Sequence, residues 1–231
     1  MKKIFLFPIA FVAIFSACKK KSVDDTPPPA TVFSWPAGTS DYAPTTVNST
    51  FTYETSSGTP AVIDSFTYTV TKDTTISGAK YYKLVSNKPD DAPTYFSNYN
   101  AGVITNVLLN VDFQAGVIIP IVTQTVLKDN VAVNATWNDA LVVTFSGIPV
   151  NIAFVNTLLQ KDYTKTVLAK NYTSAITVKQ LVNISLPGGI PLPAGIPAST
   201  QIDNYFAKGV GLIQKDVNGD TQKIKRYNVV K

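Results

Sequence analysis

Few side chains in this chain of 231 residues can do chemistry. There is no histidine, and Cys18 is the only cysteine. One cysteine cannot form a disulfide within the chain, and metal sites built from imidazole or several thiolates cannot form. The sole glutamate is Glu54, and the adjacent carboxylates Asp90 and Asp91 would point to opposite faces of a strand. Acid-base catalysis near neutral pH would need a strongly shifted Asp, Lys or Tyr. The sequence identifies none, so we expect a protein that is not an enzyme and needs no cofactor.

Two short motifs have the spacing of functional sites. Ser77-Gly78-Ala79-Lys80 matches the S-x-x-K spacing of penicillin-binding proteins, in which a helix start places Ser and Lys one turn apart. Here the motif lies between two strand-like runs, which predicts a hairpin. Residues Asp216 to Asp220 resemble the start of a calcium loop, but Tyr227 stands where an EF-hand needs its bidentate glutamate. We predict a hairpin turn there as well, and no catalytic residue or metal ligand.

The surroundings of Cys18 indicate a lipid anchor. Lys2 and Lys3 precede an uncharged, mostly apolar run over residues 4–15, and Ser16 and Ala17 are small. This is the order of a secretory signal peptide, and the run is shorter than the roughly 20 residues that span a bilayer as a helix. Residues 15–18, FSAC, resemble the lipobox of bacterial lipoproteins. The resemblance implies that Cys18 becomes the first mature residue and carries diacylglycerol on its sulfur and an acyl chain on its nitrogen.

The chain divides into three segments. We expect a lipoprotein signal peptide over residues 1–17, a lipidated cysteine and flexible tether over 18–31, and one domain over 32–231. The tether reads KKKSVDDTPPPA over residues 19–30, which is too polar to form a core, and its prolines favour extended backbone. Its charged residues loosely resemble the start of Bacteroidota lipoproteins that are exported to the cell surface.

The net charge of +5 comes from the leader and tether. From Ser22 onward, fifteen basic residues balance fifteen acidic ones, and Arg226 is the only arginine. The domain therefore lacks the basic cluster that nucleic-acid binding requires. We expect no nucleic-acid partner.

The domain has the composition and periodicity of an all-β fold. Phe51 and Tyr53 alternate with Thr52 and Glu54, and residues 66–71 alternate in the same way. Period two with one polar face predicts antiparallel sheet. Turn signals lie at 57–58, 77–78, 100–102, 129–130, 147 and 218–219. Apolar runs between Val103 and Leu186 fit either strands covered on both faces or long strands that curl around an interior. The predicted fold is a single antiparallel domain with a strongly curved sheet or partly closed barrel.

Three local expectations follow near the C-terminus. Asn218-Gly219 predicts a type I′ turn between strands at 210–217 and 221–229. If residues 205–217 form one strand, Phe206 and Val210 share a face with Leu212, and the glycines at 209 and 211 lie on the opposite face, close to another group. The loop SLPGGIPLPAGIPAST, residues 185–200, cannot be a helix or a central strand, and we expect its large apolar residues to fold back onto the core.

Surface features leave several alternatives open. The adjacent aromatics Tyr81-Tyr82, Tyr95-Phe96 and Tyr205-Phe206 could stack on sugars, but each pair is expected to give one core ring and one half-exposed ring. Sequons begin at residues 48, 134, 171 and 183, and Asp73-Thr74-Thr75 resembles the O-glycosylation pattern of the Bacteroidota. The sequence does not decide whether any of these sites is glycosylated.

Residues 205–215, YFAKGVGLIQK, and the early STFTYE segment resemble recurring elements of uncharacterised Bacteroidota lipoproteins. The resemblance implies an all-β fold and the outer envelope. We therefore expect a non-catalytic lipoprotein, anchored by lipid to the outer membrane and facing the periplasm or the cell surface. It would bind an apolar or amphipathic ligand, or a glycan, in its curved sheet. The alternative is a structural or assembly lipoprotein that contacts a partner envelope protein. Oligomeric state, ligand identity and partner identity stay open.

The lipobox yields the first testable prediction. Cys18→Ala removes the only thiol that could accept lipid, so the protein should accumulate as an unprocessed or mislocalised precursor. Mass spectrometry and membrane fractionation measure this. A Cys18→Ala protein that loses its signal peptide and still partitions with membranes would contradict the assignment.

Overall fold

The computed structural model describes residues 42–43, 46–89, 92–112, 118–145, 148–192 and 197–230. The signal peptide, Cys18 and the tether lie outside the described residues, as do Asp90, Asp91, Gly147 and Ile196. The strands are β1 Thr50–Ser57, β2 Val62–Ile76, β3 Ala79–Ser86, β4 Tyr95–Asn100, β5 Val103–Asp112, β6 Ile118–Lys128, β7 Thr136–Phe145, β8 Ile148–Val167, β9 Lys170–Ser185, β10 Ser199–Ala207, β11 Gly211–Val217 and β12 Asp220–Asn228. No helix in this part of the chain is long and apolar enough to cross a membrane.

The twelve strands form one antiparallel sheet that nearly closes into a barrel. Neighbours along the chain are neighbours in the sheet, except that β1 also pairs with β12 and joins the two ends of the described chain. The two free edges therefore fall in the middle of the chain, at β6 and β7. The predicted fold class, an antiparallel, strongly curved sheet or partly closed barrel, is confirmed.

Side chains of β7 hold the two free edges together. The Asp139 carboxylate accepts a hydrogen bond from the Thr125 backbone N–H at 2.7 Å, and the Trp137 indole N–H donates to the Thr125 carbonyl at 2.7 Å. The Lys128 ammonium of β6 also lies 5.9 Å from the centre of the Trp137 ring. The side chains of Asp139 and Trp137 thus take the place of a neighbouring strand as hydrogen-bond partners of the Thr125 N–H and C=O. We call this contact the seam.

The chain enters and leaves the barrel at the same end. β1 begins and β12 finishes at this proximal end, which also carries the turns at 77–78, 101–102 and 208–210. At the opposite, distal end β1, β5, β7 and β9 finish and β2, β6, β8 and β10 begin. Residue 18 lies 32 positions before Thr50, so a fully extended connection would reach at most about 115 Å from the proximal end.

The long strands curl around the interior. β8 has twenty residues, and its pairing with β9 shifts register three times between Leu158 and Lys165. The bent hairpin brings Val167 and Tyr172 into an apolar cluster with β1, β2 and β12 residues. Exposed Leu109, Ile121 and Val142 show that these strands are covered on one face only. The curling alternative for residues 103–186 is therefore correct.

The predicted turns are confirmed where they are described. Asn218 and Gly219 have φ of 50° and 92°, as a type I′ turn requires, and they connect β11 to β12. Ser77 and Gly78 form the β2–β3 turn, and Lys80 pairs with Asp73 at 2.7 Å, so the S-x-x-K segment is a hairpin.

The prediction of one strand over residues 205–217 was wrong. β10 ends at Ala207, residues 208–210 form a turn, and β11 begins at Gly211. Gly209 and Gly211 have φ of 75° and 97°, so the backbone conformation requires the glycines. Phe206 and Leu212 do lie directly opposite each other, but Val210 belongs to the turn and packs in a different cluster.

The loop that follows β9 only partly folds back. Leu186 and Leu192 pack against core residues, as expected. Ile190, in contrast to our expectation, is 53% exposed. It stays on the surface because the short 3₁₀ turn over Pro187–Gly189 that precedes it has no buried residue.

The seam yields the second prediction. Asp139→Ala should lower the free energy of unfolding by about 1 to 2 kcal/mol, because it removes a charged acceptor from an edge peptide group. It should also speed hydrogen exchange at the Thr125 amide. Urea denaturation and amide exchange measure these effects, with the exposed neighbour Asn138→Ala as control. Equal stability of the two variants would show that the seam does not depend on this carboxylate.

Candidate ligand site inside the barrel

The inward-facing side chains form apolar layers on either side of a polar zone. A distal layer is built on Val143, Val150, Ile152, Phe154 and Val182. Towards the proximal end, a layer of Leu127, Trp137, Leu158, Ile176 and Phe206 fills one side, and an aromatic cluster of β1, β2 and β12 fills the other. The aromatic cluster includes Tyr53, which stacks on Phe66 with ring centres 5.6 Å apart.

A polar side chain interrupts the apolar stripe on strand after strand. Along β8, Asn156 lies between Phe154 of the distal layer and Leu158 of the proximal layer, at alternate positions. The same arrangement recurs on β5, β6, β9, β10 and β11. We call these six side chains, together with Ser97 of β4 and Gln222 of β12, the polar belt: Ser97, Asn106, Gln124, Asn156, Gln180, Asn204, Lys215 and Gln222.

Strand register confirms that belt residues are neighbours. Ser97 lies opposite Asn106, and Asn106 lies opposite Gln124. Asn156 lies opposite Gln180, whose amide donates to the Asn156 Oδ1 at 3.0 Å. Directly opposed side chains have Cβ atoms about 4.5–5.5 Å apart, so the belt is continuous across each of these pairs.

Two belt amides keep a buried polar atom without a hydrogen bond. Asn156 has no exposed surface, yet its Nδ2 has no partner among the described residues, and neither has the Oδ1 of Asn106. A buried unsatisfied polar group costs about 1–3 kcal/mol, so native proteins usually supply a partner such as ordered water or a ligand. The belt therefore has hydrogen-bonding capacity that the described residues do not use.

Lys215 is the cationic member of the belt. Its cross-strand neighbours are Asn204 on β10 and Gln222 on β12. Asp203 and Asp216 oppose each other on the other face of the sheet and accept hydrogen bonds from Gln201 and Gln214. Burial lowers the pKa of the Lys215 ammonium below its ordinary value of 10.5.

Several inward-facing residues keep surface that water can reach. Lys215, Gln124 and Asp139 are half-buried, and so are Leu108 and Ile202 in the distal layer. The side chains that the structure describes thus do not cover the inward face completely beside the belt and in the distal layer.

The distal end is rimmed with exposed apolar side chains. Seven of the ten large apolar residues that are exposed in the described part of the chain lie at this end, and we call them the apolar rim: Val62, Ile63, Leu109, Ile121, Val142, Ile148 and Ile190. Such clustering is typical of a surface that contacts another molecule.

The sequence motifs do not contribute to this site. The Asp220 carboxylate accepts a hydrogen bond from the Gly58 N–H, while Asp216 binds the side chain of Gln214. No group of acidic, histidine or cysteine residues in the described ranges could hold a metal ion. Of the aromatic pairs, Tyr81-Tyr82 and Tyr205-Phe206 each give one buried and one half-buried ring. Tyr95 and Phe96 are both half-buried, because the short β4 leaves each face of this strand partly open.

Comparisons with known proteins place the fold. No family model and no curated protein matches the chain. A crystal structure of a protein provisionally described as a lipoprotein, from Parabacteroides distasonis ATCC 8503, matches with a TM-score of 0.53 and 10% identity, over 82% of this chain and 99% of that one.

The barrel is similar in fold to that Parabacteroides structure. A protein from Bacteroides fragilis NCTC 9343, provisionally described as exported and as having a YmcC-like fold, matches with a TM-score of 0.48 and 10% identity, over 80% of this chain and 97% of that one. At this identity the likeness concerns the fold alone.

The belt went unnoticed in the sequence because its members are spread over eight strands, with one of them on each. A signal was present: Ile104-x-Asn106-x-Leu108, Phe154-x-Asn156-x-Leu158 and Val178-x-Gln180-x-Val182 each place an amide inside an apolar stripe of period two. One such interruption is common in a β protein. Its recurrence at the same level of several strands becomes visible only through the register.

Lys215 yields the third prediction. Lys215→Met should raise the free energy of unfolding near neutral pH by about 1 kcal/mol, because it replaces a desolvated ammonium with an apolar chain of similar length. Between the lowered pKa and 10.5, the unfolded chain binds more protons at Lys215 than the native protein does. Stability should therefore rise with pH in this window, and less steeply in the variant.

Urea denaturation from pH 7 to 9.5 measures both effects. Lys170, whose pKa burial lowers to about 8, contributes a slope of the same sign in both proteins and so cancels in the comparison. A Lys215→Met variant less stable than the native protein at pH 7 would mean that the ammonium has a stabilising partner.

Proposed function

We propose that this protein is a non-catalytic lipoprotein of the outer envelope that binds an amphipathic molecule along the inner face of its barrel. The observation that carries the proposal is the polar belt between apolar layers. An amphipathic molecule needs apolar surface for its chain and hydrogen-bonding groups for its head. The inner face offers both, at neighbouring levels of the same strands.

The direction of a bound chain follows from the layers. The distal layer contains aliphatic side chains, several of them half-buried, and continues towards the apolar rim. The opposite side of the belt is more aromatic and is closed by the β8–β9 hairpin, where the Lys170 ammonium donates to the Tyr227 hydroxyl at 3.1 Å. A chain that extends from the belt towards the distal end therefore meets the more open side.

The anchored location rests on the sequence. The lipobox resemblance at Cys18 supports a lipid anchor, and the resemblance to Bacteroidota lipoproteins supports the outer membrane. Non-catalytic function is supported by the residue inventory, which has no histidine and one glutamate. The long tether would let the distal end reach ligands away from the membrane that holds the anchor.

The fourth prediction tests ligand binding directly. Full-length lipoprotein in a non-ionic detergent is irradiated with hexadecanol that carries a diazirine in its chain, and labelled residues are mapped by mass spectrometry. Label should appear on distal-layer strands β8 to β10 at inward positions such as Phe154, Val182 and Ile202, and excess hexadecanol should displace it. Label that stays on outward positions and is not displaced would contradict the proposal.

One observation favours the alternative of an assembly lipoprotein. The apolar rim is suited to burial against a protein, and assembly would use it without any ligand in the barrel. If the protein serves assembly, the double substitution Ile121→Asp and Val142→Asp should abolish cross-links to a partner protein in the membrane. The hexadecanol probe should then label no inward position in the native protein or in the variant. Inward labelling that survives in this double variant supports ligand binding over assembly.

A further inference from the structure

Asn204, Lys215 and Gln222 form a group of hydrogen-bond donors on the inner face of three adjacent strands. Lys215 is directly opposite both amides in the register. The flanking residues on the same face are apolar and inward: Ile202 and Phe206 on β10, and Ile224 on β12. The group therefore belongs to the barrel interior and not to the outer surface.

None of the three side chains has a hydrogen bond or ion pair with the described part of the chain. Asn204 is only 8% exposed, so bulk water can reach little of it. Asp203 and Asp216 occupy the opposite face and are bound by Gln201 and Gln214, respectively. Asp220, at the start of β12, lies on the same face as Gln222, and its carboxylate accepts a hydrogen bond from the Gly58 N–H in an exposed position. A cation and two amides thus lie together on the inner face, and none of the described carboxylates forms an ion pair with the cation.

We propose that this trio is the head-group site of the amphipathic ligand and that the head group is a carboxylate; the inference rests on the proposed function. One ammonium supplies one positive charge, which a carboxylate neutralises and a phosphate monoester, with its charge near −2 at neutral pH, would exceed. The two amide NH₂ groups donate to the remaining lone pairs of the carboxylate oxygens. The ligand is therefore a long-chain carboxylic acid, bound as its anion, with its chain along the distal layer.

The trio also explains why an unpaired lysine persists in the barrel. A desolvated ammonium without a counter-ion destabilises the empty protein, whereas a bound carboxylate would remove that cost. A bound carboxylate would offset the desolvation cost of the Lys215 ammonium, which folding alone leaves in place. The charge of the head group therefore determines which ligands bind.

The test is a competition on the full-length lipoprotein in a non-ionic detergent. A diazirine analogue of hexadecanoic acid labels the protein, and unlabelled hexadecanoic acid, hexadecanol or hexadecyl phosphate competes. The proteins are the native one, Lys215→Met, Lys215→Arg and, as the matched control, Lys223→Met. Lys223 lies on β12 next to Gln222 but on the outer face, opposite Glu54. The partition of the competitors into micelles affects all the proteins equally, so it does not change the comparison of each variant with the native protein.

In the native protein and in Lys223→Met, the acid should displace the label at a concentration at least tenfold below that of the alcohol or the phosphate. Lys215→Met should lose this preference while the alcohol competes as before, and Lys215→Arg should keep most of it. An unchanged preference in Lys215→Met overturns the head-group assignment, and a preference for the phosphate overturns the carboxylate. If no competitor displaces the label from any protein, the proposed function itself fails.

Discussion

The architecture depends on how an open sheet satisfies its two edges. Every strand except β6 and β7 has a hydrogen-bonded neighbour on both sides, and the pairing of β1 with β12 moves the unpaired edges to the middle of the chain. The seam then joins them through the carboxylate of Asp139 and the indole of Trp137, both bound to the peptide groups of Thr125. Because the edges meet, one face of all twelve strands is turned inward and shielded from water.

Closure of the sheet removes the polar side chains of the inner face from water. On an open sheet, Asn156 and Lys215 would be hydrated and would need no explanation. Inside a nearly closed barrel, a buried amide group and an ammonium that have no partner among the described residues are costly, so burial and strand pairing alone do not account for them. Apolar layers lie on both sides of the polar belt. The functional proposal rests on this neighbourhood of apolar surface and hydrogen-bonding groups.

Much of the fold could be predicted from local sequence, because strand alternation and turn chemistry are local. The face shared by Phe51 and Tyr53 and the Asn218-Gly219 turn are as predicted. The continuous strand over 205–217 failed because two glycines that could be strand residues instead have positive φ in a turn. The seam and the belt could not be predicted, since both depend on which residues of neighbouring strands lie opposite each other, and the alternation within one strand does not give that register. The anchor at Cys18 and the division into segments remain predictions.

The central claim is that the inner face, between the distal layer and the belt, holds a ligand. The most direct measurement is a crystal structure of the lipoprotein purified from its native membrane, at a resolution that separates ordered water from a continuous chain. We expect elongated density along the distal layer, with one end within about 3 Å of the Lys215 Nζ. An interior filled by the protein's own side chains, with isolated waters on Asn156 and Lys215, would contradict it.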